Sequence, residues 1–218
     1  MPNSMILYHF PTSPYARRVR LALSLKGLSA ELRDARAEPA HTAELKRLNP
    51  LHTVPVLLDG ERVICDSHAI CQYLERKVPT PPLWPAALAG ALAFELLAFA
   101  DGAIAIFIDL ALRYAPVQAD PHFPAVREAL VGRAQRALDV LAERVTAQGV
   151  RSGPLCGDAW GAADIAVFTT VAWLEGLPAR AATFPLARNL VDLGWSLPPT
   201  LSAWADQHRD RADVLALG

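Results

Sequence analysis

Ser13 and the residues around it are the stretch best placed to do chemistry. The run Pro11-Thr12-Ser13-Pro14-Tyr15 follows a short apolar, β-prone segment, Met5 to Phe10. It precedes a segment in which Val19, Ala22, Leu23 and Lys26 share one helical face, with Gly27 where a helix would stop. Ser13 takes the N-cap position and Pro14 the first helical position, where a missing N–H costs nothing. A strand running into such a helix start presents a hydroxyl together with unpaired backbone N–H groups. The partial positive charge there attracts anions, thiolates included. Two readings of Ser13 stand at this point, a helix cap and a thiol activator.

A second constellation is Asp66-Ser67, which opens another helix and gathers a carboxylate, a hydroxyl and backbone amides in one place. Such a set can hold an α-amino-acid group, with Asp66 on the ammonium and Ser67 and the helix end on the carboxylate. The alternative is a pair of capping residues. Between these two turns lies Thr53-Val54-Pro55-Val56-Leu57. Pro55 cannot donate to a sheet ladder, so it begins a strand, lies at an edge or marks a special turn. A tripeptide with a thiol, a peptide-like middle and a free amino-acid end is glutathione. Other candidates read as structure: Tyr8 as packing inside its strand, Arg17, Arg18 and Arg20 as a solvated or salt-bridged helix face.

The elements that must hold these residues follow from the pattern. Met5–Phe10 reads as a strand, Ser13 to Lys26 as a helix, and Ala30–Ala35 as a second strand. Thr42–Leu48 has helical composition and stops at Asn49-Pro50. Leu51–Leu58 and Arg62–Cys65 flank the hairpin turn Asp59-Gly60, and a helix follows Asp66-Ser67. The order is βαβαββα over residues 1–78. Residues 79–85 are a proline-dense linker. Residues 86–218 read as helices near 85–114 (kinked near Gly102), 124–148, 161–175 and from 198, with 176–199 irregular apart from a short helix near Leu186–Leu193. The fold class is therefore α+β, a thioredoxin-like first domain followed by an all-α bundle.

Composition narrows the partners. The 218 residues carry 21 basic and 22 acidic side chains and are 52% hydrophobic. That balance gives no electrostatic case for nucleic acid or an anionic membrane. The apolar run from Ala86 to Tyr114 contains Glu95, Asp101 and Asp109 and reads as a buried core helix, since each charge opposes bilayer insertion. Cys65, Cys71 and Cys156 have no CxxC or metal-ligand spacing and read as free thiols, with no metal expected. No signal-peptide pattern stands at the N-terminus, and a cytoplasmic protein is expected.

The chain resembles the cytosolic glutathione S-transferases over essentially its whole length. The motifs are Thr12-Ser13-Pro14-Tyr15, Asn49 through Leu57, Ile64-Cys65-Asp66-Ser67 with Ala69 to Leu74, and Gly157 to Ala166, which matches the family's helix-opening capping box. It is most similar to serine-type, bacterial-like members. The resemblance implies glutathione as co-substrate, Ser13 as the catalytic thiol activator, and glutathione contacts from Ser13, His52, Val54, Pro55, Asp66 and Ser67. Val54 would supply backbone hydrogen bonds beside a cis-proline. It also implies a homodimer and an apolar pocket for an electrophilic second substrate, with Phe10, Tyr15, Phe107 and Tyr114 as its candidates. Three departures are visible. Gly161 stands where the capping box has serine or threonine, no lysine lies near His52-Thr53, and Ser13-Pro14-Tyr15-Ala16 lacks both thiols of a redox motif. The implied activity is glutathione transfer. Glutathione-dependent isomerases, peroxidases and dehalogenases share the first domain, and the fold also hosts non-catalytic interaction proteins.

Overall fold

The computed structural model describes residues 5–147, 153–183, 185–191, 193–211 and 214. Two compact units divide at the proline-rich stretch: Met1–Trp84 with Arg209–Gly218, and Pro85–His208.

The first unit is β1 (Met5–His9), α1 (Pro14–Leu25), β2 (Ala30–Asp34), α2 (Pro39–Leu48), β3 (Val56–Asp59), β4 (Arg62–Cys65) and α3 (Ser67–Lys77). The sheet order is β2-β1-β3-β4, with β1 and β2 parallel and the other pairs antiparallel. α2 begins three residues before the expected Thr42 because Pro39 sits in its first turn, where its lost N–H is harmless. β3 is shorter than expected. Residues 51–55 form a turn, and the Val54–Pro55 bond is cis. Lys26, at the end of α1, is buried and reaches both the Glu75 carboxylate on α3 and the Pro81 carbonyl of the linker.

The second unit is α4 (Ala87–Leu112), a short 3-10 turn at Ala115–Val117, α5 (Phe123–Ala147), α6 (Ala162–Glu175), α7 (Leu177–Thr183), α8 (Pro185–Val191) and α9 (Pro199–Asp206). α4 is helical straight through Gly102, and it is long and apolar enough to cross a membrane by length and composition. Its residues Ala93, Leu96, Leu97, Ala100, Ala103, Ile104 and Phe107 are buried, and it packs on α5, α6 and α8. α5 buries Ala134, Leu138, Leu141 and Val145 and leaves Val126 exposed; Gln148, its expected end, lies outside the described residues. The stretch 176–199 is more helical than expected. Its prolines mark helix starts: Pro178 is the second residue of α7, and Pro185 opens α8. Asp192, within the expected short helix, lies outside the described residues.

α6 forms although Gly161 has no side chain to cap it. Asp164 is fully buried and accepts the Gly161 N–H at 2.9 Å and the Leu155 N–H at 2.6 Å, satisfying one helix-start donor and one loop donor.

Candidate functional site

Strand register brings three stretches of the first unit to one end of the sheet. Tyr8 of β1 pairs with Val56 of β3, and Val56 pairs with Cys65 of β4. Both pairings are antiparallel, so the exit of β1, the entry of β3 and the exit of β4 lie side by side. Ser13 follows the first, Val54 and Pro55 precede the second, and Asp66 and Ser67 follow the third. With strands ~4.8 Å apart, β1 and β4 stand about 10 Å apart across β3. That is the reach of roughly three extended residues.

Ser13 is the N-cap of α1, with an extended backbone and its Oγ accepting the Ala16 N–H at 3.2 Å. Its own N–H donates to the Phe10 carbonyl at 3.0 Å, which closes the turn. The cap uses an oxygen lone pair and leaves the hydroxyl hydrogen available to donate. Val54 precedes the first residue of β3, so its backbone groups are not used by the sheet ladder. His52 has φ 54 and is exposed on the same turn. Asp66 is the N-cap of α3 at φ 78, a left-handed conformation that aspartate adopts more readily than most residues. Its Oδ1 accepts the N–H groups of His68 at 2.8 Å and Ala69 at 3.1 Å. Oδ2 takes no part in that cap.

Two residues at this end had no functional signal in the sequence. Arg18, read as part of a solvated face, is 2% exposed. Its Nη1 donates to Ser67 Oγ at 3.3 Å and lies 3.0 Å from His68 Nε2, and its guanidinium sits over the Tyr15 ring at 5.5 Å. Ser67 is also buried, and with Arg18 it forms a link from α1 to the start of α3. Asn49, read as a helix stop, wires the turn before Val54. Its Nδ2 donates to the Thr53 carbonyl at 2.8 Å, and its Oδ1 accepts the Leu51 N–H at 3.0 Å. An asparagine followed by proline is the one available hint, since such side chains commonly organise turns.

Tyr8 is fully buried, but it is more than packing. Its hydroxyl donates to Glu44 and accepts from Arg33 Nη1 at 2.8 Å. Burial, with the Glu44 carboxylate beside it, raises its pKa above the usual phenol value. A phenol so committed is no thiol activator. The Cys65 thiol is pushed up by burial and by the Asp66 carboxylate, and Cys156 to about 11 by burial and Asp164, so neither is a ready nucleophile. No group of three or more His, Cys, Asp or Glu arranged for a metal ion occurs among the described residues.

The expected second-substrate residues divide between the units. In the first, the Phe10 ring lies under the Arg36 guanidinium at 3.8 Å and packs on the cluster of Tyr8, Ala35, Leu45, Val54 and Val56. Tyr15 is partly exposed. In the second, Tyr114 stacks on Phe123 at 5.9 Å. Phe107 corrects the expectation: it is fully buried against Trp195, with ring centroids 4.9 Å apart, and serves the core.

The geometry agrees with the comparisons to known proteins. A model of the glutathione S-transferase N-terminal domain matches residues 7–82, and one of the family's C-terminal domain matches residues 124–207. Among curated relatives, Glutathione S-transferase Z1 of Arabidopsis thaliana is 46% identical over 81 residues, 36% of this chain and 37% of that protein. A Vibrio cholerae protein named probable maleylacetoacetate isomerase is 43% identical over 86 residues, 38% of this chain and 40% of its own length. The chain thus spans well under half the length of the curated relatives it matches. A solved glutathione transferase family member from Pseudomonas fluorescens Pf-5, with bound glutathione, superposes with a TM-score of 0.75 at 26% identity, covering 98% of each chain. The matches to both domains, in order and on this fold, show that the chain belongs to the glutathione S-transferase family.

Proposed function

We propose that this protein binds glutathione along the shared end of β1, β3 and β4 and activates it as a thiolate for attack on an electrophilic, apolar small molecule. The observation that carries this reading is the register that aligns Ser13, Val54 and Asp66-Ser67 over about 10 Å. In this reading the γ-glutamyl ammonium meets Asp66. Its carboxylate meets Ser67 and the first N–H groups of α3. The backbone of Val54, beside Pro55, holds the peptide-like middle, with His52 toward the glycine end. Ser13 then donates its hydroxyl hydrogen to the sulfur. The N–H of Ala16, bonded to the same oxygen, makes that hydroxyl a better donor.

Magnitudes fit. A free thiol has a pKa near ~8.5. Lowering it by about two units takes ~2.7 kcal/mol of preferential thiolate binding. One charge-assisted hydrogen bond and a helix terminus supply about that much. The rest of the acceleration comes from holding the two reactants together.

Glutathione-dependent isomerisation is the second reading, favoured by the likeness of 86 residues of this chain to the Vibrio cholerae protein. Both readings begin with the same thiolate. Retention of Ser13, Val54, Asp66 and Ser67 speaks against a non-catalytic interaction role. We also assign the protein to the cytoplasm and to a homodimer, the latter supported by Leu88 and Leu112 standing exposed on α4 at 87% and 46%.

Calorimetric titration with glutathione tests the placement. Asp66→Asn keeps a cap oxygen and removes the charge, so affinity should fall by roughly 1.5–3 kcal/mol with little loss of stability. Unchanged affinity would remove the γ-glutamyl end from Asp66.

A further inference from the structure

We infer that Tyr8 is a positioning residue for glutathione, an inference that rests on the function proposed above: its hydroxyl holds α2 against the sheet and so keeps the turn carrying His52 and Val54 in its binding shape. The phenol stands fully buried in β1. Its hydroxyl donates to the Glu44 carboxylate on α2 and accepts from Arg33 Nη1 on β2 at 2.8 Å, so one side chain ties three elements together.

α2 depends on such a tie. Leu45 is its one buried side chain, whereas α1 buries Pro14, Ala16, Arg18, Val19, Leu21, Ala22 and Leu23. Few buried apolar contacts mean a low cost of local opening. The other attachments are polar and come early in the helix: Thr42 Oγ1 donates to the Ala35 carbonyl at 2.6 Å, and His41 Nδ1 to the Asp34 carbonyl at 3.1 Å. Glu44 lies beyond them, toward the helix end that runs into the turn.

Two links carry the docking of α2 to the site. Asn49, the C-cap of α2, donates from Nδ2 to the Thr53 carbonyl at 2.8 Å. The Val54 side chain is buried in one cluster with Tyr8, Ala35, Leu45 and Val56, so withdrawal of Leu45 removes part of the wall on which Val54 rests. An undocked α2 therefore loosens the residue assigned to the peptide-like middle of glutathione, and apparent affinity falls with the docked fraction. The thiol end is held separately, by the Ser13 cap and the Phe10 carbonyl.

Hydrogen exchange and glutathione calorimetry on the intact protein test this with Tyr8→Phe, Glu44→Ala and Glu44→Gln. Tyr8→Phe keeps the buried ring and Glu44 is partly exposed, so the variants should fold. Tyr8→Phe and Glu44→Ala should speed exchange of the α2 amides and weaken glutathione by about three- to tenfold. Ionisation of the bound thiol, read by ultraviolet difference absorbance, should stay as in the parent protein. Glu44→Gln keeps an oxygen for the phenol to bond and should restore most of the affinity and protection. Combining Tyr8→Phe with Glu44→Ala should lose little more than Glu44→Ala alone. Exchange that quickens equally in β1, α1 and α3, or unchanged affinity in Tyr8→Phe, would overturn the inference and leave Tyr8 a core residue. A raised pKa of the bound thiol in Tyr8→Phe would overturn it too, by making the phenol an activator. A parent protein that binds no glutathione would overturn the function itself, an outcome distinct from all of these.

Discussion

Arg18 donates a hydrogen bond to Ser67 Oγ at 3.3 Å, joining the first helix to the start of the third across 49 residues of chain. Both residues are buried, and Ser67 follows the aspartate that caps its helix. An oxygen that accepts from Arg18 has its hydroxyl hydrogen turned away from the guanidinium and able to donate to another group.

Arg18→Met should therefore weaken glutathione binding and lower stability by roughly 1–3 kcal/mol, since it leaves a buried hydroxyl without its donor. A double-mutant cycle with Ser67→Ala, read by calorimetry and denaturant unfolding, checks this. The two losses should overlap strongly. Full additivity would mean that the pair acts as two separate residues.

Asp164 carries a second, purely structural load. Asp164→Ala would strand the Gly161 and Leu155 N–H groups that its two oxygens now accept. The expected loss is about 3 kcal/mol or more, and Asp164→Asn, with one acceptor oxygen, should lose less. Urea unfolding monitored by tryptophan fluorescence measures both.

The pattern of what was readable follows from range. Ser13, Asp66 and Pro55 stand out in the sequence because caps and turns are local, set by residues three or four apart. The burial of Arg18 is invisible there, because its partner Ser67 comes from another helix. Asn49 was read as a stop for the same reason that it works: its side chain competes for backbone groups, and in the structure it captures those of the following turn. Phe107 sits at core spacing on an apolar helix, and periodicity cannot separate a pocket wall from a core wall. The prolines of 176–199 suggest irregular chain in the sequence, whereas Pro178 and Pro185 lie in first turns.

Gly90 should resist replacement. A Cβ there would stand 2.6 Å from the Pro85 carbonyl oxygen, a backbone atom. Gly90→Ala gains about 1 kcal/mol of helix propensity but must move the chain entering α4, at a cost of about 1–3 kcal/mol. Net destabilisation in thermal unfolding is expected, and stabilisation would show that the entry adjusts freely.

His9 sets an acid limit. It is buried, its Nδ1 has no hydrogen-bond partner among the described residues, and burial, with Arg20 nearby, holds its pKa below the usual 6.5. The unfolded chain then takes up this proton at higher pH than the folded one. Stability contributed by neutral His9 is complete above pH 6.5 and is lost as the pH falls through the lowered folded value. Asp59, held below the usual carboxylate range by hydrogen bonds from Lys77 and Tyr73, loses its contribution only at more acid pH. Unfolding free energy measured from pH 7.5 to 5 should decline below 6.5, and His9→Gln should flatten that decline. An unaltered slope would assign it to other groups.

The central claim is that Ser13 lowers the pKa of bound glutathione, and a pH–rate profile of conjugation for the parent protein and Ser13→Ala tests it most directly. Loss of the cap alone costs about 1 kcal/mol of stability and leaves the rate of the folded protein unchanged, whereas lost positioning would depress the rate at every pH. Loss of thiolate stabilisation instead moves the ionisation of bound glutathione back toward ~8.5. Ultraviolet difference absorbance of the thiolate records that shift independently of turnover. The account predicts a rate defect of tens of fold at pH near ~6.5 that shrinks steadily above the free thiol pKa, with glutathione affinity nearly intact. A Ser13→Ala protein that conjugates normally near pH ~6.5, with bound thiol ionising as in the parent protein, would contradict it and leave Ser13 a helix cap.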